Sequence, residues 1–197
     1  GDDLSNIEKI FQIINSNNGT VTSAQVTETN IPRYYLSLMV EKRMLIKVRR
    51  GVYITPNNWE DEMYILGCGY PKGIFSHGTA LYIHEMTDRT PIEYEMSFPQ
   101  GYHFRNKESN LKVRYFINKI YELGIEHKKS PYQNDIKVYN IEHTLCEIVK
   151  CNYDIQIIND AMKRYVRSKN RNINKLMSYS DIFRVKNKIS NYLKVLL

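Results

Sequence analysis

Apolar residues recur at helical spacing at Leu4, Ile7, Ile10, Phe11 and Ile14, and the turn formers Asn15-Ser16-Asn17-Asn18-Gly19 stop the run, which predicts a first helix ending there. Thr22 or Ser23 can cap a short second helix through Ala24, Gln25 and Val26. Asn30-Ile31-Pro32 makes a turn, and proline suits the first position of a third helix, expected from about Pro32 to Arg43. On that helix Leu36, Met39 and Val40 form an apolar stripe. Tyr34, Ser37, Leu38 and Glu41 project away from it, with Arg33 at the edge between, so Leu38 is an apolar misfit on the polar side. Leu45-Ile46-Lys47-Val48 and Val52-Tyr53-Ile54 then read as strands around Arg49-Arg50-Gly51, where glycine can take the positive φ of a tight turn.

From about Trp59 the pattern changes. Trp59, Met63, Ile65 and Leu66 predict a helix out of the hairpin, and the stretch from Gly67 to Gly73 is a loop by its glycines and proline. Ile74-Phe75 reads as a short buried strand, and Ser76-His77-Gly78-Thr79 can cap a helix through Ala80, Leu81, Ile83 and Met86. Ile92–Phe98, Leu111–Ile117 and Ile136–Ile141 are strand candidates. Helices are expected from Glu142, from Asp154 through Tyr165, and from about Ser180, with a turn around Leu176. Strands and helices mix here without βαβ alternation, so the expected fold class is α+β. Its first part, residues 4–56, has the element order of a winged helix-turn-helix, and residues 57–197 form a mixed α/β domain ending in basic helices.

Charge gives the hairpin a meaning. The chain has 197 residues and a formal net charge of +7, which favours an anionic partner. The first dense positive charge lies at the hairpin tip, where it would rest against phosphates. Helix three would then enter a major groove, Arg33 reading a base edge, Tyr34 and Ser37 bonding base or phosphate, and Leu38 touching a thymine methyl. Lys42, Arg43, Lys47, Arg49 and Arg50 would meet the backbone of double-stranded DNA. A second basic run, Lys163, Arg164, Arg167, Lys169 and Arg171, is a solvated helix face, a second DNA surface or a partner surface.

Other chemistry finds little footing. His77 and His84 are seven apart and match no HExxH pattern, and Cys68, Cys146 and Cys151 lack CxxC spacing, so no metal, disulfide framework or cofactor is expected. No GxxxxGK[ST] or GxSxG occurs. His77 reads as a capping or polar core residue, and the chain as no enzyme; a nuclease-like site using Glu85, Asp88 and Glu142, or a protein-interaction module, are the rival readings. No apolar run reaches bilayer length and the start carries acidic residues, so a cytoplasmic protein without membrane contact is expected.

The phrases TVTSAQVTETNIPRYYLSLMVEKRMLIKVRRGVYITP, IFSHGTALYIHEMTDRTP, MSFPQG and IKVYNIEHTLCEIV together resemble the AbiEi antitoxin family of bacterial abortive-infection systems. Against the family phrases RVRRGVY and SHxSALxLHGLTD, Thr79 replaces Ser and Glu85-Met86 replaces Gly-Leu; Pro32 replaces a Ser before Arg33, and Glu142-His143-Thr144 replaces Glu-Arg-Thr. The resemblance implies an N-terminal winged helix-turn-helix that represses its own operon, with promoter operators often built as inverted repeats. It also implies a C-terminal domain that neutralises a cognate nucleotidyltransferase-like toxin without a stable complex, the type IV mode of phage defence.

Overall fold

A computed structural model describes residues 2–197, and Gly1 lies outside the described residues. The chain divides into two compact units: residues up to Pro71 with Lys129–Ile136, and Lys72–Lys128 with Lys137–Leu197. Both mix helices and strands.

The first unit runs α1 (Asp2–Ser16), β1 (Thr20–Thr22), α2 (Ser23–Glu28), α3 (Tyr34–Glu41), β2 (Ile46–Arg49), β3 (Val52–Ile54) and α4 (Glu62–Gly69). Thr22 settles the choice of cap: its hydroxyl accepts from Gln25 N at 3.2 Å while Gln25 Oε1 accepts from Thr22 N at 2.9 Å, a reciprocal capping box. Ile10, Ile14, Val21, Val26, Tyr35, Leu36 and Met39 close one core around these short elements. Each short helix would be marginal alone, and this shared burial is what holds it. The strands form an antiparallel sheet in the order β1-β3-β2, with a register shift between Lys47 and Arg49. Strand β1 leaves no signature in the sequence because three residues carry no measurable period.

Several expectations shift. Leu4 is exposed and outside the stripe of α1, and Trp59 sits in an exposed loop ahead of α4. Tyr35 is buried, and Leu38 is half-buried against the core where an outward side chain was expected, because α3 sinks a wider face than its stripe suggested. The first unit also runs past Pro56, the boundary expected from the sequence, to Pro71. Asp61, buried at the N-cap of α4, explains the inclusion of the later turn: its carboxylate accepts from Tyr64 N, Ser130 Oγ and Asn134 Nδ2.

The remaining elements are β4 (Ile74–Phe75), α5 (His77–Ile83), β5 (Tyr94–Pro99), β6 (Leu111–Phe116), α6 (Asn118–Tyr121), β7 (Ile125–Lys129), β8 (Asp135–Tyr139), α7 (Ile141–Lys150), α8 (Ile155–Arg167), α9 (Ile173–Ile182) and α10 (Lys186–Leu196), all in the second unit but for Lys129 and Asp135–Ile136. Their mixed sheet has the order β6-β5-β4-β8-β7, with β4 antiparallel to β5 and parallel to β8. Helices α7 to α10 enclose a core of Leu145, Ile148, Ala161, Met162, Leu176 and Ile189. The last helical break falls at Arg184, whose φ of 60° is left-handed, so α9 is a full helix where a turn was expected around Leu176. Strand β7, IEHKK, is too polar to announce itself in sequence.

Candidate nucleic-acid interface

In the first unit, cations from three elements converge. Arg33 at the entry to α3, Lys47 on β2 and Arg50 in the β2–β3 turn line one open hollow of about 540 Å³, floored by Ser23, Ala24 and Gly51. Pro32 and Arg33 open α3 as a tight turn, with Tyr35 N donating to Pro32 O and Leu36 N to Arg33 O. Arg33 Nε donates to Thr27 Oγ1 at 2.8 Å, which holds the guanidinium over α2 while the residue stays exposed. Gly51 has φ 75° and its carbonyl accepts from Ser23 N, so the hairpin tip is tied to the start of α2.

Tyr34 and Ser37 are exposed on the same helix, Tyr34 against the ring of Tyr35. Lys42 and Arg43 lie at the other end of α3. Arg43 holds a φ of 59°, and Met44 N bonds Met39 O behind it, the left-handed helix stop that glycine usually makes.

Arg49 differs from the other hairpin residues. Its guanidinium lies 5.2 Å from the ring centre of Tyr70 and against Gly69, where a side chain would collide with it. It ties the hairpin to the end of α4. Leu38 is half-buried against the core of the first unit. Nearby, burial pushes the Cys68 thiol up to about 11, which removes it as a nucleophile near neutral pH.

The second basic run does not form one face. Arg171 Nη1 donates to Val166 O and so caps the end of α8. Arg164 bonds Asp88, Asp160 and the carbonyl of Glu85, and lines with Arg167 a cavity from which Lys163 and Lys169 are absent.

A buried polar cluster gathers in the second unit around Glu147, a residue that no sequence pattern singles out. Glu147 is wholly buried; it accepts from the His77 backbone N–H and, at 3.1 Å, from His143 Nε2, whose Nδ1 donates to Leu123 O at 2.6 Å. Burial pushes the Glu147 carboxyl up, but His77, His143 and their hydrogen bonds outweigh it and hold it below the usual carboxylate range. His143 thus stands against Glu147 at the position where the family phrase has Arg. Ser76 directs its hydroxyl to Ser97 and His77, each at 2.7 Å, so the start of α5 is capped from other elements by Glu147 and Tyr153.

Cys151 Sγ lies 3.6 Å from His77 Nε2, giving a thiol, an imidazole and a carboxylate in order. Burial, Glu147 and Glu95 push that thiol up, with Arg114 pulling the other way, so the thiolate such chemistry needs is disfavoured. Glu85 and Glu142 line one cavity, and Asp88 pairs with Arg164. Among the described residues no group of three His, Cys, Asp or Glu could hold a metal ion, and no helix is long and apolar enough to cross a membrane.

Residues 8–56 match the model of the family described as "Transcriptional regulator, AbiEi antitoxin". The family resemblance is therefore shown over most of the first unit, and it supports an antitoxin-type regulator role. No curated protein matches the chain. Among solved structures, the crystal structure of RV2827C protein from Mycobacterium tuberculosis aligns over 98% of this chain and 81% of its own, with a TM-score of 0.48 and 11% identity.

Proposed function

We propose, from the match of residues 8–56 to an antitoxin-type transcriptional regulator, that the first unit is a winged helix-turn-helix that binds its own promoter as a repressor. Helices α2 and α3 are the helix-turn-helix and the β2–β3 hairpin is the wing. The observation that carries the reading is the convergence of Arg33, Lys47 and Arg50 on one hollow beside the exposed start of α3. Arg33 then reads a base edge with Tyr34 and Ser37 beside it, and Lys42, Arg43, Lys47 and Arg50 grip phosphates. Arg49 acts through Tyr70, holding the wing at its angle. The second unit is the part that counters a nucleotidyltransferase-like toxin, without a stable complex.

The test is binding of the full chain to a duplex from upstream of its own gene and to a scrambled duplex across a salt series. Tight, sequence-dependent binding with a log–log salt slope of about −0.9 per phosphate contact is the expected result. Equal, weak binding to both duplexes refutes the repressor. The antitoxin role is tested separately by co-expression with a nucleotidyltransferase-like toxin from the same operon: rescue of growth without co-purification supports the reading, and no rescue by the chain removes it.

A further inference from the structure

The second unit contains an open cavity of about 710 Å³ that the repressor and antitoxin readings leave unused. Its basic side chains come from three elements: Lys128 from β7, Arg164 and Arg167 from the last turns of α8, and Lys175 from α9. Arg164 is fixed by its bonds to Asp88, Asp160 and the Glu85 carbonyl. Lys128 Nζ stands 3.4 Å from His84 Nδ1, and since an ammonium only donates, that nitrogen accepts and Nε2–H donates to Tyr139 O at 2.7 Å. Two basic groups are thus held in place, while Arg167 and Lys175 are exposed at the rim.

The same cavity is lined by Glu142, a residue only 4% exposed. Its carboxylate takes the Tyr165 hydroxyl, yet among the described residues Oε2 is a buried oxygen with no hydrogen-bond partner. Buried acceptors are nearly always satisfied, and one left open beside a cavity asks for an N–H or O–H from outside the chain. Glu85 and Glu126 also line the hollow, so its field is mixed in sign and poorly suited to track a polyanionic backbone. It suits a compact ligand that presents an anion at one end and a donor at the other. The volume is in the range of small-molecule sites, and the polar lining excludes a lipid tail.

We propose that this cavity binds a mononucleotide, with Arg167, Lys175 and the fixed Arg164 taking the phosphate and Glu142 accepting a base N–H. Guanidinium and ammonium groups supply the charged donors a phosphate needs. The base then satisfies the open oxygen of Glu142.

Isothermal titration of the full chain with inorganic phosphate, ribose 5-phosphate and the four ribonucleoside monophosphates tests this. Saturable one-to-one binding of at least one monophosphate is expected, weakened tenfold or more by Arg167→Ala with Lys175→Ala. Glu142→Gln should weaken the monophosphate tenfold and leave ribose 5-phosphate unchanged. No saturable binding of any monophosphate at millimolar concentration overturns the proposal. So does binding that survives the Arg167 and Lys175 substitutions, or binding of inorganic phosphate equal to that of every nucleotide, which would be generic anion attraction. Because Arg167 and Lys175 are exposed, their double variant keeps the test decisive should Glu142→Gln fail to fold. DNA affinity measured on the same preparations reports on the first unit alone, so loss of either activity identifies which reading has failed.

Discussion

The two units handle charge in opposite ways. The first keeps Arg33, Lys47 and Arg50 at the surface around an open hollow, while the second surrounds Glu147 with His77 and His143 inside its core. An exposed cation contributes little to stability and remains available to a polyanion. A buried charge with all its partners is costly to disturb and offers nothing to a ligand. Exposed cations such as those of the first unit are therefore open to a ligand, whereas the Glu147 cluster of the second unit serves the fold.

The largest test of this contrast is Glu147→Ala. It leaves the His77 N–H and the His143 ring buried without an acceptor, and should lower unfolding free energy by about 3–5 kcal/mol in urea titrations followed by circular dichroism. A loss below about 1 kcal/mol would remove the distinction between the units.

Next comes acid. His84 is pushed down to about 4, by burial first and by Lys128, against the hydrogen bond to the Tyr139 carbonyl; Glu126 lies 3.6 Å away. A depressed imidazole favours the neutral form in the folded chain. Its stability contribution is therefore intact above about pH 6.5 and is lost as pH falls toward 4, by about 3 kcal/mol. The lowered His77 and Glu147 add losses of the same sign, so the His84 share is read as the difference between the native chain and His84→Gln. The variant's stability should fall less between pH 6.5 and 4.

In the first unit the substitutions move binding. Arg33→Ala, Lys47→Ala and Arg50→Ala together should cost about 2–3 kcal/mol of DNA affinity and flatten the salt slope, leaving the melting temperature within a few degrees. A folded triple variant with native affinity would place the DNA elsewhere.

The smallest effect separates backbone from charge. Glu85 and Arg43 each hold a φ of 59° at a helix end. Glycine at either position should stabilise the chain by about 1 kcal/mol or less, partly offset by its freedom in the unfolded chain. Only Arg43→Gly should also weaken DNA binding.

Much of the first unit was legible in the sequence because its signals are local. The cap at Thr22, the turn at Pro32 and the glycine at the hairpin tip act within a few residues. Glu85 at the end of α5 is legible in the same way: the family phrase places glycine where the structure requires a left-handed residue, with Met86 N closing onto Leu81 O. The stripe of α3 was only partly readable, since Leu38 and Tyr35 are sorted by what packs against the helix rather than by its period.

By itself the sequence determined the mixed class, the order of helices and hairpin in the first unit, and the clustering of positive charge at its tip. Only the tertiary structure decided that Arg49 lies on Tyr70 while Arg50 lines the hollow, that Arg164 is pinned while Arg167 lines a cavity, and that Glu147, unremarked in the sequence, is the centre of a core network. Periodicity and capping are properties of neighbours along the chain. Burial, pairing and the open oxygen of Glu142 depend on residues dozens of positions apart, and no local pattern records which of them will meet.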